Sequence, residues 1–182
     1  MIRSLSRALA VFVLLGVVAA GSQARAAKPE DVFAGRILTS DKSFPTSSKS
    51  VGAYISTLKK MNKDRVWENK DKTAWTIYFV AFFRKALNDL EVTVKVYDVS
   101  QPSDQRLVES YEMYLDARGQ RSFSGRLKLN KSDTQYHPNS RLLIVLENRG
   151  AILAKSNLTI QGEGKKFTGK VEFSEEDTKG NE

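Results

Sequence analysis

The chain has 182 residues, with 29 Lys and Arg, 21 Asp and Glu, one His, no Cys and a formal net charge of +8. This length suits one domain with a short appendage. The lack of cysteine excludes disulfide bonds and thiolate chemistry, and one imidazole without a sulfur ligand argues strongly against a zinc site.

The first 26 residues have the pattern of a secretory signal peptide. Arg3 and Arg7 give a positive start, and residues 8–20 form an uncharged apolar run. Ala24-Arg25-Ala26 supplies the small residues that a signal peptidase needs, which predicts cleavage after Ala26. The alternative is an uncleaved anchor, although the run is shorter than the roughly 20 residues that span a bilayer. The pattern predicts a periplasmic or extracellular protein, with no transmembrane segment after cleavage.

Residues 27–72 are predicted to hold a strand, a helix and a linker. Residues 33–38 alternate weakly, as a strand does. Apolar side chains then recur at helical spacing, with Ser47 or Ser48 as the expected N-cap. We expect this helix to lie over the outer face of the sheet near Tyr78, Val80 and Phe82. Its apolar positions are Val51, Tyr54, Ile55, Leu58 and Met61.

A basic and aromatic stretch ends the predicted helix, and it is the candidate contact for an anionic surface or an acidic partner. Acidic residues such as Asp64 and Glu68 interrupt it, and a nucleic acid would require a more uniformly basic face. No nucleic-acid partner is therefore predicted. The alternative is a solvated helix end, with Trp67 anchoring the following loop in the core. The candidate contact residues are Lys59, Lys60, Lys63, Arg65 and Trp67.

Residues 73–173 alternate with period two between turn signals, which predicts a β-sandwich core of antiparallel strands. Residues 75–83 and 142–146 are apolar on both faces and are predicted to be central strands. A barrel is the second choice, and the acidic tail at residues 174–182 is predicted to be disordered. The predicted strands span residues 75–83, 90–99, 107–115, 122–129, 142–146, 151–161 and 167–173.

No residue carries a recognisable catalytic, cofactor-binding or metal-binding pattern. His137 precedes Pro138 in a polar loop, where a solvent-facing role is expected. Several carboxylates lie around one predicted hairpin, but nothing marks two of them as an acid and base pair. The sequence therefore predicts no enzyme and no cofactor. The carboxylates are Asp98, Asp104, Glu109, Glu112 and Asp116.

Residues 137–155 carry a fold-level resemblance. His137-Pro138-Asn139-Ser140 leads into an apolar strand, and a tight turn at residues 148–150 leads into another. This arrangement resembles the closing hairpin of bacterial immunoglobulin-like or fibronectin-type envelope domains, and Trp75 is similar to their core tryptophan. The resemblance covers residues 73–161. It implies an immunoglobulin-like sandwich of about eight strands that tends to act as a binding module, and it carries over no catalytic residue.

The functional prediction is an exported, non-catalytic sandwich protein of the bacterial cell envelope that binds another envelope protein. Binding would use an exposed sheet edge or the basic segment at residues 59–72. Two alternatives stay open. One is a small carboxylate-based hydrolase or carbohydrate-active protein, and the other is a peripheral binder of anionic lipid or polysaccharide.

Overall fold

The computed structural model describes residues 27–101, 103–133 and 135–162. The predicted signal peptide, the predicted strand at residues 167–173 and the predicted acidic tail lie outside the described residues. The helices in the described part are α1 (Pro29–Val32) and α2 (Val51–Met61). Its strands are β1 (Arg36–Ser40), β2 (Arg65–Trp67), β3 (Ala74–Leu87), β4 (Glu91–Gln101), β5 (Asp104–Tyr114), β6 (Gln120–Asn130), β7 (Arg141–Asn148) and β8 (Ala151–Gln161).

The strands form two layers that face each other. The order of pairing is β5-β4-β7-β8-β1-β3-β6, and β8 and β1 are joined by a single parallel pair, Arg36 with Lys155. One layer is therefore β1-β3-β6 and the other is β5-β4-β7-β8. Ile77 of β3 belongs to the same buried cluster as Val94 of β4 and Ile144 of β7. The dry interior lies between the layers, as in a β-sandwich.

The order of strands in the two layers is that of an immunoglobulin-like fold. Taken as A, B, C, C′, E, F and G, the strands β1, β3, β4, β5, β6, β7 and β8 form an A-B-E layer and a C′-C-F-G layer. The predicted immunoglobulin-like sandwich is confirmed, and each predicted strand between residues 75 and 161 overlaps an observed one. Strand D has no counterpart, because only residues 115–119 separate β5 from β6.

The strand β3 is apolar on both faces because each face is covered. Trp75 and Phe79 point into the sandwich, whereas Val80 and Phe82 point outwards and pack against Leu58 of α2. The predicted helix over the sheet is thus confirmed. Its predicted N-cap was wrong.

The N-cap of α2 is Ser50, because the helix begins only at Val51. The Ser50 hydroxyl accepts a hydrogen bond from the Ala53 amide at 3.2 Å, which satisfies an amide that would otherwise have no partner in the first turn. Ser47 and Ser48 lie too far before the first turn to reach that amide.

Trp75 is fully buried, but it lies on β3 rather than on strand C, which holds the core tryptophan of immunoglobulin domains. Its indole nitrogen donates to the carbonyl of Gln161 at 2.7 Å, which ties the end of β8 to β3. The first strand also differs from its prediction. It begins at Arg36, and Phe33 instead ends the short helix α1 and packs beneath α2.

Within the described residues, no helix has both the length and the apolar character required to cross a membrane.

Candidate functional site

The two layers meet at β8, and that junction contains the candidate site. β1 pairs with β8 only at Arg36 and Lys155, and β2 pairs with β8 from Arg65 and Thr159 onwards. Both pairings are parallel. Between them, residues 156–158 of β8 have no strand partner on that side among the described residues. This interruption leaves a notch in the surface.

Thr39 holds the two sides of the notch in place. Its amide donates to the side-chain oxygen of Asn62 at 3.0 Å, and its hydroxyl donates to the carbonyl of Lys63. The amide of Lys63 donates back to the carbonyl of Thr39 at 2.7 Å. Thr39 is fully buried, so these bonds are partly shielded from water. The chain leaving α2 is therefore fixed against the end of β1 before it enters β2.

Two grooves border the notch on the outer face of the β5-β4-β7-β8 layer. The first has a volume of about 600 Å³ and the second about 350 Å³. Asp64 and Asn157 line both grooves, which are therefore adjacent. The first is lined by Gly35, Arg36, Ile37, Asn62, Lys63, Asp64, Leu143, Lys155, Ser156 and Asn157. The second is lined by Asp64, Arg65, Val99, Arg141, Asn157, Leu158 and Thr159.

Five basic residues line these grooves: Arg36, Lys63, Arg65, Arg141 and Lys155. We call this set, with the two grooves, the basic seam. Asp64 is the one acidic residue in either lining.

Some cations of the basic seam are engaged, and others are free. Lys63 is paired with Asp41 at 2.8 Å, and this hydrogen bond lowers the pKa of the Asp41 carboxyl below its usual value. The Arg141 guanidinium donates to the carbonyl of Ser100 at 2.9 Å. The side chains of Arg36, Arg65 and Lys155 are exposed and make no ion pair within the described part of the chain.

The structure divides the predicted contact residues between different surfaces. Lys63 and Arg65 line the grooves, and Lys59 and Lys60 are exposed in the last turn of α2 on the other layer. Their role in binding stays a prediction. Trp67 does not anchor a loop in the core, since 48% of its surface is exposed.

The residue that enters the core is Val66, because neighbouring side chains on a strand point to opposite faces. The short strand β2 also falls in the segment that was predicted to be a linker. Its three residues are too few for the alternation of a strand to be visible in the sequence.

Sequence reasoning missed Arg36, Arg141 and Lys155. Each lies on the outer face of its strand, where a single basic side chain carries no signal of its own. They become one surface only through the pairing of β8 with β1, β2 and β7. A sequence pattern could have placed each of them on an outer face but could not have placed them together.

Three carboxylates that are partly or largely shielded from water, those of Glu68, Glu147 and Glu109, each face a lysine or a tyrosine hydroxyl. The side chain of Glu68 is only 4% exposed and is paired with Lys131 at 2.7 Å. Glu147 is paired with Lys95. Glu109 points inwards from β5, and the hydroxyl of Tyr136 donates to its carboxylate at 2.5 Å.

The inward face of the β4–β5 hairpin holds a polar cluster of Glu109, Tyr111 and Tyr136. Burial raises the pKa of both tyrosine hydroxyls well above their usual value of 10.0, and the negative charge of Glu109 adds to the effect. His137 is exposed in the same loop as Tyr136. Across the described ranges, no three His, Cys, Asp or Glu side chains are grouped so that they could hold a metal ion.

Comparisons with known proteins give similarities to solved structures only. No protein-family model matches the chain, and no curated protein matches it. An immunoglobulin-like protein from Pseudomonas aeruginosa is similar in structure, with a TM-score of 0.38 and 11% sequence identity. The match covers 71% of this chain and 94% of that one. At this TM-score the similarity decides nothing, and the fold assignment rests on the order of the strands.

Proposed function

We propose that this chain is a non-catalytic binding protein, exported to the bacterial cell envelope, and that its basic seam binds an acidic segment of another envelope protein. The export pattern in residues 1–26 supports the location. The geometry of the seam supports the binding role and the chemistry of the partner.

The observation that carries the proposal is the set of free cations around the notch. Arg36, Arg65 and Lys155 flank the notch with no acidic partner among the described residues. Half-buried Leu143 lines the first groove beside them. A segment with two or three carboxylates and one apolar side chain would neutralise these charges and cover the leucine.

The carboxylates favour a binding role over a hydrolase. Hydrolysis of a glycosidic bond requires two carboxyl groups that face each other across a cleft, roughly 5–10 Å apart. Here Glu68 and Glu147 each face a lysine, and Glu109 faces a tyrosine hydroxyl. The linings of the two grooves contain a single carboxylate, that of Asp64.

The experiment is site-specific photo-crosslinking in the native host. A photoreactive amino acid replaces Asn157, which lines both grooves, in the full chain with its own leader. The matched control replaces Lys49, which is exposed just before α2. We expect an adduct from position 157 that is missing from position 49. Mass spectrometry should place the crosslink in an acidic segment of an envelope protein.

Two results would contradict the proposal. The first is a chain that stays in the cytoplasm with residues 1–26 attached. The second is an adduct at position 157 with anionic lipid, or an adduct that position 49 forms equally well. The lipid result would support a peripheral membrane role instead, for which exposed Trp67 beside Arg65 supplies suitable side chains.

A further inference from the structure

The two outermost strands, β5 and β6, differ in how well they are protected against pairing with another chain. Among the described residues, each has a neighbouring strand on one side only. The pairing of β5 with β4 is interrupted between Val96 and Tyr97, and the charged side chain of Glu109 points inwards at the same place. A bulge and an inward charge are two of the features that prevent strand addition at an edge.

The strand β6 is less protected, because its pairing with β3 is irregular only at its start, between Gln120 and Ser122, and none of its inward residues from position 123 onwards is charged. Its register with β3 runs without interruption from Ser122 to Asn130. Its inward side chains at positions 123, 125, 127 and 129 are Phe, Gly, Leu and Leu, and it contains no proline. The helices α1 and α2 pack mainly against β1, β3 and each other. The helix α1 also touches the start of β6, where Arg121 pairs with Asp31 at 2.9 Å. Residues 122–130 of β6 remain uncovered by these helices in the described part of the chain. In a constant-type immunoglobulin domain strand D lies beside this edge, and no strand of the described residues takes that place.

Backbone groups at this edge point away from the sheet. The amide of Lys131 donates to the carbonyl of Thr73, its opposite residue, at 2.8 Å. Hydrogen-bonded pairs alternate along an antiparallel ladder, so the odd-numbered residues of β6 are the ones that bond to β3. In an antiparallel ladder the residues between them direct their amide and carbonyl groups to the other side. At β6 those residues are Ser122, Ser124, Arg126 and Lys128. An added strand would bond to these four.

The side chains of these residues define the partner. Arg126 and Lys128 are exposed on the outer face, at positions that would lie opposite alternate residues of an added strand. The other residues of that strand would lie beside half-buried Phe123 at the rim of the interior. Acidic side chains on one face and apolar ones on the other would complement this edge.

We propose that the β6 edge binds an extended segment of another protein in which acidic and apolar residues alternate, and that this segment pairs as an additional strand. A second copy of this chain is a poorer occupant. Pairing two β6 strands would place Arg126 and Lys128 of both copies in opposite or diagonal positions on one face, where like charges repel. This surface is distinct from the basic seam.

The test is amide hydrogen exchange, measured by NMR on the full mature chain with an octapeptide of four Val-Glu repeats. In the free protein, the amides of Ser122, Ser124, Arg126 and Lys128 should exchange fast. With the peptide they should become protected at least tenfold, while the intervening amides stay protected throughout. An octapeptide of four Val-Lys repeats is the control and should protect none of the four.

Variants separate strand addition from attraction between charges. Arg126→Glu with Lys128→Glu should weaken binding of the Val-Glu peptide about tenfold, since both cross-strand pairs change sign. Lys42→Glu with Lys49→Glu makes the same change in net charge away from the edge and should leave the affinity unchanged. Ser124→Pro removes one free donor and should abolish the alternating protection, whereas Ser124→Ala should retain it.

Several outcomes would overturn the proposal. Strand addition at β6 would be excluded if the Val-Glu peptide did not bind, or if it bound without protecting the four amides or while protecting amides of β5 instead. Equal weakening of peptide binding by Lys42→Glu with Lys49→Glu and by Arg126→Glu with Lys128→Glu would show that net charge alone drives the binding. Sedimentation that shows a dimer of the free chain, with the same four amides protected, would identify a second copy as the occupant. Protection of these four amides reports the β6 edge alone, because a peptide held by the basic seam would lie away from them.

Discussion

Gly125 shows how closely β3 and β6 approach at the residue scale. The ring of Phe79, its partner across the strands, lies where a side chain at position 125 would begin. A Cβ added to Gly125 would lie 2.5 Å from the tip of that ring. A glycine is therefore needed at position 125 to leave room for the Phe79 ring. Its backbone conformation is one that any residue adopts.

Gly125→Ala should lower the free energy of unfolding by about 1–3 kcal/mol, because the ring of Phe79 must move within a filled core. Gly52→Ala is the matched control, since nothing lies within 4 Å of a Cβ at that helical position. That control should stabilise the protein by about 0.5–1 kcal/mol. Urea unfolding monitored by tryptophan fluorescence measures both, and equal effects of the two substitutions would refute the packing argument.

Buried Tyr136 and half-buried Glu109 form a polar contact within the sandwich. Tyr136→Phe would leave the carboxylate of Glu109 without its donor and should cost about 1–3 kcal/mol of stability. Tyr114→Phe is the control, because that side chain is 66% exposed. Urea unfolding at neutral pH compares the two, and a loss no larger than that of Tyr114→Phe would show that the contact is unimportant.

The same tyrosines predict a loss of stability at high pH. Burial raises the pKa of Tyr111 and Tyr136 above the 10.0 expected in the unfolded chain. The unfolded state therefore releases these protons first, so the contribution of the two tyrosines to the free energy of unfolding is constant below about pH 10 and falls above it. The decrease between pH 9 and pH 11 should be smaller in Tyr136→Phe than in Tyr114→Phe. An equal decrease in both would contradict the prediction.

At the scale of elements, α2 covers the outer face of the A-B-E layer and also leads the chain into β2. Leu58 is its one fully buried side chain and packs with Val80 and Phe82. Helix packing thus positions Asn62 and Lys63 at the notch, through their bonds to Thr39.

Leu58→Ala should lower the free energy of unfolding by about 2–5 kcal/mol, which is the usual cost of removing a buried leucine side chain. Ser50→Ala removes the cap of the same helix and should cost about 0.5–2 kcal/mol. Lys59→Ala is exposed and should change little. Thermal unfolding followed by circular dichroism ranks the stability losses of the three variants. A loss for Leu58→Ala no larger than that for Lys59→Ala would show that α2 is not anchored to the sheet.

The sequence predicts these elements well where a pattern is local and poorly where pairing decides. Period-two alternation located β4 and β6, and helical spacing placed Leu58 on the buried face of α2. The cap at Ser50 was missed because three serines lie close together and only the first turn of the helix distinguishes them. The alternative in which Trp67 anchors a loop in the core was wrong, because β2 is a strand only by virtue of its pairing with β8, and this strand turns Val66 inwards instead.

For the whole molecule, the candidate site arises from topology. The strands β1 and β2 pair with different parts of β8, and α2 lies between them in the chain. Residues 156–158 of β8 therefore have no strand partner on that side among the described residues. Arg36 and Lys155 are far apart in the chain and become neighbours only through one parallel pair. The basic segment found in the sequence supplied two members of this surface, Lys63 and Arg65.

The most direct test of the basic seam is an NMR titration of the mature chain with a peptide of ten glutamates. The largest shift changes should fall on the amides of Lys155, Asn157 and residues 62–66. The double variant Arg65→Glu with Lys155→Glu should bind the peptide about tenfold more weakly, and Lys42→Glu with Lys49→Glu should bind it as the natural chain does. Shift changes confined to α2, or equal affinity in both double variants, would contradict the account.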